Sequence, residues 1–247
     1  MKKLSDLIPK NHSPTLPKNP ASVRWTTASR CEADVSGNIQ DFDEIYRRFI
    51  VSAHQQVPQF VVDEMNKPII QKLLAYFSAN YSSCQTLNVD PKKGLLLMGP
   101  VGCGKTTLMK LCWDFFNKPF RIMASRKISQ QFAQEGYPAL FRYGSQSYRI
   151  KHLGYGPIVY YDQPIAYCLD DVGVEPFAKH FGNDCNVIAE VLLDRYEEFA
   201  SRGLITHLTT NLDTQAFTQR YHQRVRSRLR EMCNLIAFPT EIPDRRK

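Results

Sequence analysis

Apolar and polar positions along the chain change period several times, and each change marks an element. From Asp41, Phe42, Ile45, Tyr46, Phe49 and Ile50 recur at helical spacing, predicting a helix that Pro58 ends. Met65, Ile69, Leu73, Leu74 and Phe77 form a second stripe, predicting a helix over 61–78 and then a polar connection over 79–92. Leu95, Leu96, Leu97 and Met98 read as a buried strand, followed by a helix over 105–116. A strand over 119–123 and a helix over 125–135 come next. Residues 136–164, rich in Tyr and Gly, carry no clear period beyond a turn at Gly154–Pro157 and a strand signal at Ile158–Tyr161. The strand Ile165–Leu169 ends in Asp170-Asp171. Val187, Ile188, Val191, Leu192, Tyr196 and Phe199 line one face of a helix over 186–202, with Gly203 as its stop. A strand Leu204–Thr209, a helix over 214–230 and a strand Leu235–Phe238 complete the pattern. Strands alternating with helices predict an α/β fold with a parallel, doubly wound sheet. Residues 1–40 differ: Pro9, Pro14, Pro17 and Pro20 interrupt a polar stretch, predicting an irregular arm. Trp25 in it can anchor a partner or pack back on the domain.

The chemistry concentrates where the first strand meets its helix. Gly99-Pro100-Val101-Gly102-Cys103-Gly104-Lys105-Thr106 fits G-x-x-x-x-G-K-[ST], with Thr107 following. Small residues let such a loop wrap tightly, so that backbone N–H groups point inward at phosphate oxygens. The helix start at Lys105 aims its positive dipole end at the same anion. Lys105 is placed to reach the β and γ phosphates of ATP, and Thr106 to offer its hydroxyl to Mg²⁺. Asp170 and Asp171 end a later strand. In a parallel sheet such ends line the ligand crevice. There Asp170 can hold Mg²⁺ through water and Asp171 can orient or deprotonate an attacking water. Asn211, at the end of the following strand, can hydrogen-bond the γ-phosphate or that water; as turn chemistry it is equally ordinary. Five arginines, 220, 224, 226, 228 and 230, crowd one predicted helix, with 220, 224 and 228 four apart on one face. Such a cluster suits a neighbour's γ-phosphate, nucleic-acid phosphates or a solvated basic face.

Charge and cysteine usage narrow the setting. The chain of 247 residues has a formal charge of +8, which favours an acidic partner such as DNA and is equally explained by solubility. Seven cysteines show no C-x-x-C pair and no zinc spacing, the usage of reduced thiols in a cytoplasmic protein. Cys103 occupies a loop position whose side chain the motif leaves free. The N-terminus carries two lysines with no apolar run behind them, so neither a signal peptide nor a membrane span is expected.

The series LLLMGPVGCGKTT, YCLDDVG, EVLLDRYEEF, ITHLTTNL and YHQRVRSRLREMCNLIAF, in that order and spacing over residues 60–240, resembles the AAA+ ATPases of the DnaC/DnaI helicase-loader and IstB transposition-helper group. The resemblance implies an AAA+ P-loop domain over 61–247 with a small or absent C-terminal lid, behind an N-terminal partner-binding arm and helix over 1–60. It implies Lys105 and Thr106 as Walker A, Asp170 as the Mg²⁺ aspartate and Asn211 as sensor 1. Arg228, with Arg224 beside it, falls on the arginine finger that serves a neighbouring copy, which requires a homo-oligomer. Asp171 stands where the group often has Glu, one methylene longer. Arg245 is a candidate for sensor 2, although the Gly and Ser usual before that arginine are missing.

Three functions follow as expectations. The first is a helicase-loader-like ATPase of DNA replication, acting with a replicative helicase and, preferentially, single-stranded DNA. The second is an IstB-like helper that binds duplex DNA and recruits a transposase. The third is a nucleotide-gated adaptor with negligible turnover, suggested by Asp171 in place of Glu.

Overall fold

A computed structural model describes residues 41–117, 120–145, 148–151, 159–180 and 183–246. The expectations for the arm over 1–40, for Trp25 and for the turn at Gly154–Pro157 lie outside the described residues.

The pattern of buried strands and amphipathic helices is realised as one parallel sheet. Its strands are β1 (Gly94–Met98), β2 (Arg121–Ala124), β5 (Tyr167–Val172), β8 (Thr206–Thr210) and β9 (Cys233–Ala237). All five run parallel in the order β2–β5–β8–β1–β9. Period-two alternation sends successive side chains to opposite faces, and both faces are covered. Leu95 and Leu97 of β1 pack with Phe49 and Ala53 of α1 (Phe42–Gln56), Leu73 and Leu74 of α2 (Lys67–Phe77), and Leu108 and Met109 of α4 (Lys105–Phe115). On the other face Leu96, Leu169 and Leu208 meet Ile128 and Phe132 of α5 (Ser125–Glu135), Val191 and Leu192 of α7 (Val187–Arg202), and Val225 and Leu229 of α8 (Thr214–Met232). Burial on both faces explains why these strands read as unbroken apolar runs. Two short helices, α3 (Tyr81–Thr86) and α6 (Tyr137–Tyr143), and two antiparallel hairpins, β3 (Tyr148–Lys151) with β4 (Val159–Pro164) and β6 (Ala178–His180) with β7 (Asn183–Cys185), complete the described elements. No helix among the described residues is long and apolar enough to cross a membrane.

Several expected boundaries shift for local reasons. The helix expected over 61–78 starts only at Lys67, because the Asp63 carboxylate captures the amides of Met65 (3.0 Å) and Asn66 (2.9 Å) in a turn. Met65 is accordingly exposed and outside the core. The polar connection over 79–92 contains α3, capped by the Asn80 side chain on the Ser83 amide. Strand β5 continues through Asp170 and Asp171 to Val172 instead of stopping at Leu169. Helix α8 is broken at His222 (φ 62°, ψ 163°), a conformation costly for a residue with a Cβ. Arg220 therefore does not share a helix face with Arg224 and Arg228.

Arg195 of α7 is fully buried, a cost that only complete hydrogen bonding offsets. It donates to Thr206 Oγ1 (2.7 Å) and to the carbonyls of Tyr143 (2.9 Å), Ile165 (3.1 Å) and Ile205 (3.1 Å). Burial pushes its pKa down to about 10. It thereby ties α6 and α7 to the lower ends of β5 and β8. Arg195→Met strands these acceptors, and is expected to lower the unfolding free energy by about 3 kcal/mol or more. Chemical denaturation measures this, and a loss below about 1 kcal/mol contradicts the role.

Candidate nucleotide-binding site

The carboxyl ends of β1, β5 and β8 converge on one cleft of about 380 Å³, lined by Gly102–Leu108, Asp171, Asn211, Val57, Phe60, Val61 and Arg245 among others. The loop from β1 to α4 turns through positive φ at Gly102 (81°) and Gly104 (97°), where a residue with a Cβ is strained. Gly99 and Pro100 contribute carbonyls, Val101 is exposed, and Cys103 is buried within the core beneath the loop.

Lys105 begins α4 and is buried, with 4% of the residue exposed. Its Nζ donates to Gly99 O (2.9 Å), Pro100 O (2.8 Å) and Asn211 Oδ1 (2.6 Å), and Cys103 Sγ lies 3.6 Å away. Asn211 turns its other end towards Asp171, Nδ2 to Oδ1 at 3.4 Å. The residue expected to sense the γ-phosphate thus touches both the lysine and the second acid.

Asp170 is held by two hydroxyls. Thr106 Oγ1 donates to its Oδ1 at 2.8 Å, and Thr209 Oγ1 to the same oxygen at 2.6 Å. Thr209 Oγ1 also accepts from the Asp171 amide (2.9 Å), and Ser125 Oγ donates to Asp171 O (2.7 Å). These bonds pin Asp171 in the left-handed region (φ 53°), which turns its side chain into the cleft. Thr106 and Asp170 offer only hard oxygen donors, 2.8 Å apart, a set that fits Mg²⁺ and not a thiophilic metal.

No family model matches this chain. The 26S proteasome regulatory subunit 6A of Encephalitozoon cuniculi (strain GB-M1) is 29% identical over 75 residues, covering 30% of this chain and 18% of that protein. The chain thus spans less than a fifth of the curated relative it matches. Among solved structures it is similar to the DnaC helicase loader, at TM-score 0.47 and 14% identity over 78% of this chain and 99% of that one. It is similar also to DnaI, at TM-score 0.47 and 19% identity over 72% and 88%.

The arginines are distributed unevenly. Arg228 does not line the cleft; its guanidinium lies over the Tyr196 ring, 4.1 Å from the centroid. Arg224 is exposed on the same half of α8. Arg220 instead pairs with the buried carboxylate of Glu175, which also accepts from Tyr221 OH and, at 2.8 Å, from the Gly173 amide. Arg245 also lines the cleft, with its guanidinium against Asp63.

Sequence reasoning assigned no role to Thr209, Ser125 or Glu175. A threonine before the strand-end asparagine is a usable signal for the first, since period two aims Thr209 and Asn211 to the same side of β8. Thr209→Val removes one donor from Asp170 and the acceptor of the Asp171 amide. It is expected to weaken Mg²⁺-dependent ATP binding or turnover about tenfold, with Thr209→Ser close to wild type. Titration of magnesium in a nucleotide-binding assay checks this, and equal magnesium dependence in all three proteins contradicts it.

Proposed function

We propose that this chain is an ATP-binding and ATP-hydrolysing AAA+ protein that acts as a DnaC-like replicative helicase loader, assembling with neighbouring copies on single-stranded DNA. The observation that supports it best is the convergence of Lys105, Thr106, Asp171 and Asn211 on one cleft, with Asp170 bonded to Thr106 beneath them, while Arg228 lies outside the lining. The sequence resemblance over residues 60–240 supplies the loader reading.

In this reading the amides of the loop over 102–107 cradle the β-phosphate, and Lys105 carries its positive charge to the β and γ oxygens. Thr106 and Asp170 would hold Mg²⁺, which would supply positive charge to offset that of the phosphates. Asp171 accepts a proton from water as the water oxygen attacks the γ-phosphorus. The bond to the ADP oxygen breaks, leaving ADP and phosphate. Asn211 orients the water and registers the loss of the γ-phosphate through its contacts with Lys105 and Asp171. Asp171 is one methylene shorter than Glu, so its reach depends on the backbone turn that Thr209 and Ser125 pin. Arg228 completes the site of a neighbouring copy, stabilising the charge of the transferred phosphoryl group.

The basic balance of the chain and the exposed arginines of α8 favour a nucleic-acid partner. Tighter binding to single-stranded DNA than to duplex supports the loader, and the reverse preference favours a transposition helper. If turnover is unchanged in Asp171→Asn while ATP still binds, the adaptor reading replaces the ATPase.

The shared site is tested by mixing. Lys105→Ala and Arg228→Ala proteins are each expected to lose ATP turnover by about a thousandfold. An equimolar mixture is expected to recover a measurable fraction, because Arg228 of the first completes the intact loop of the second. Recovery no greater than the sum of the two separate rates contradicts a finger acting between copies.

A further inference from the structure

After β9 the chain turns back over the cleft. The Phe238 amide donates to Met98 O at 2.7 Å, and Ile242 is buried. Asp244 then packs on Gly102 so closely that a Cβ there would come within 2.1 Å of its carboxylate, and the Arg245 amide donates to Gly102 O at 3.0 Å. The strap over 238–246 is thus fixed to the phosphate-binding loop itself.

The opposite wall of the cleft mouth is the segment between α1 and α2. Its turn is built by Asp63 and by Asn66, which is buried and bonds Val61 O (2.8 Å) and the Asp63 amide (2.9 Å). Val57, Phe60 and Val61 of this segment line the cleft. Their apolar and aromatic side chains suit a purine base, and the phosphate end is defined by Lys105 and Thr106.

Arg245 spans the two walls. Its Nη1 donates to Val61 O at 3.2 Å and its Nη2 to Asp63 Oδ2. Its Nε is buried with no hydrogen-bond partner among the described residues. Partial burial pushes the Asp63 pKa up, but the Arg245 hydrogen bond and the Asn66 amide outweigh it and hold the carboxyl below its usual value. The side chains are 21% and 37% exposed, and an ion pair so placed contributes little to global stability. Its importance is positional: it is a hydrogen-bonded ion pair from the strap to the base-side wall.

We propose that the Asp63–Arg245 pair is a clamp across the base end of the nucleotide cleft, and that it sets how long a bound nucleotide stays. The clamp rests on the nucleotide-binding reading above. It assigns Arg245 a different role from a sensor of the γ-phosphate: a positioning residue that holds the wall over 57–66 against the strap. Because that wall follows α1 directly, it also joins nucleotide residence to the placement of α1.

The test uses the full chain and a fluorescent ATP analogue, with dissociation followed by stopped flow. Asp63→Asn keeps the turn, since an asparagine oxygen still accepts the Met65 and Asn66 amides, but it loses the charge. Asp63→Asn and Arg245→Gln are each expected to speed dissociation about tenfold. The thermal midpoint of the nucleotide-free protein is expected to stay near wild type, and hydrogen exchange of the amides over 61–66 to rise. Arg245→Lys, which keeps the charge, is expected to dissociate more slowly than Arg245→Gln. Lys105-dependent binding with unchanged dissociation in both Asp63→Asn and Arg245→Gln overturns the clamp alone. Absence of any Lys105-dependent binding overturns the nucleotide reading and the clamp with it.

Discussion

The buried side chain of Lys105 sets the constraint around which the cleft is built. A charge removed from water costs several kcal/mol unless its donors are satisfied. Here two loop carbonyls and the amide oxygen of Asn211 meet that demand. The loop must curl far enough to present Gly99 O and Pro100 O, which is why it needs positive φ at Gly102 and Gly104. Strand β8 must lie beside β1 so that Asn211 reaches across, and their parallel register, Met98 against Thr210, puts it there. The same demand gives the chemistry: a cation held by oxygens that a phosphate can replace is a cation ready for a phosphate.

Around that lysine the polar contacts form a connected set. Thr106 and Thr209 converge on Asp170, Thr209 also fixes the Asp171 backbone, and Asn211 returns from Asp171 to Lys105. Helix α4 and strands β5 and β8 are therefore joined through side chains as well as through the sheet. A displacement of the Lys105 side chain has a direct route through these contacts to the ends of β5 and β8. Beyond β5, Glu175 reads the turn at Gly173 and grips Arg220 and Tyr221, immediately before the break in α8 at His222. The half of α8 that carries Arg224 and Arg228 begins after that break.

Much of this was legible in the sequence because the relevant signals are local. The apolar run Leu95–Leu97 before a glycine-rich loop, the stripe of α7 with its Gly203 stop, and the paired acids at a strand end each depend on a few adjacent residues. What escaped depends on contacts made at a distance. Met65 fits a helical stripe, yet the Asp63 side chain captures the local amides and holds the chain in a turn. Arg195 falls at the spacing of the apolar stripe of α7, but the groups that satisfy it, Thr206 and several carbonyls, come from other elements. The four-residue spacing of the arginines assumed an unbroken helix, and no residue type at His222 announces the break. Arg245 carries no motif; only the fold brings it to Asp63, far away in sequence.

The central claim is that the cleft is half of a site completed by Arg228 of a neighbouring copy. ATP turnover per molecule, measured for the full chain across a wide range of protein concentration at saturating ATP and Mg²⁺, tests it most directly. The account predicts turnover that rises with concentration and then levels as assembly saturates, with DNA shifting the rise to lower concentration. Turnover per molecule that is constant from the most dilute sample upward, with and without DNA, would contradict it.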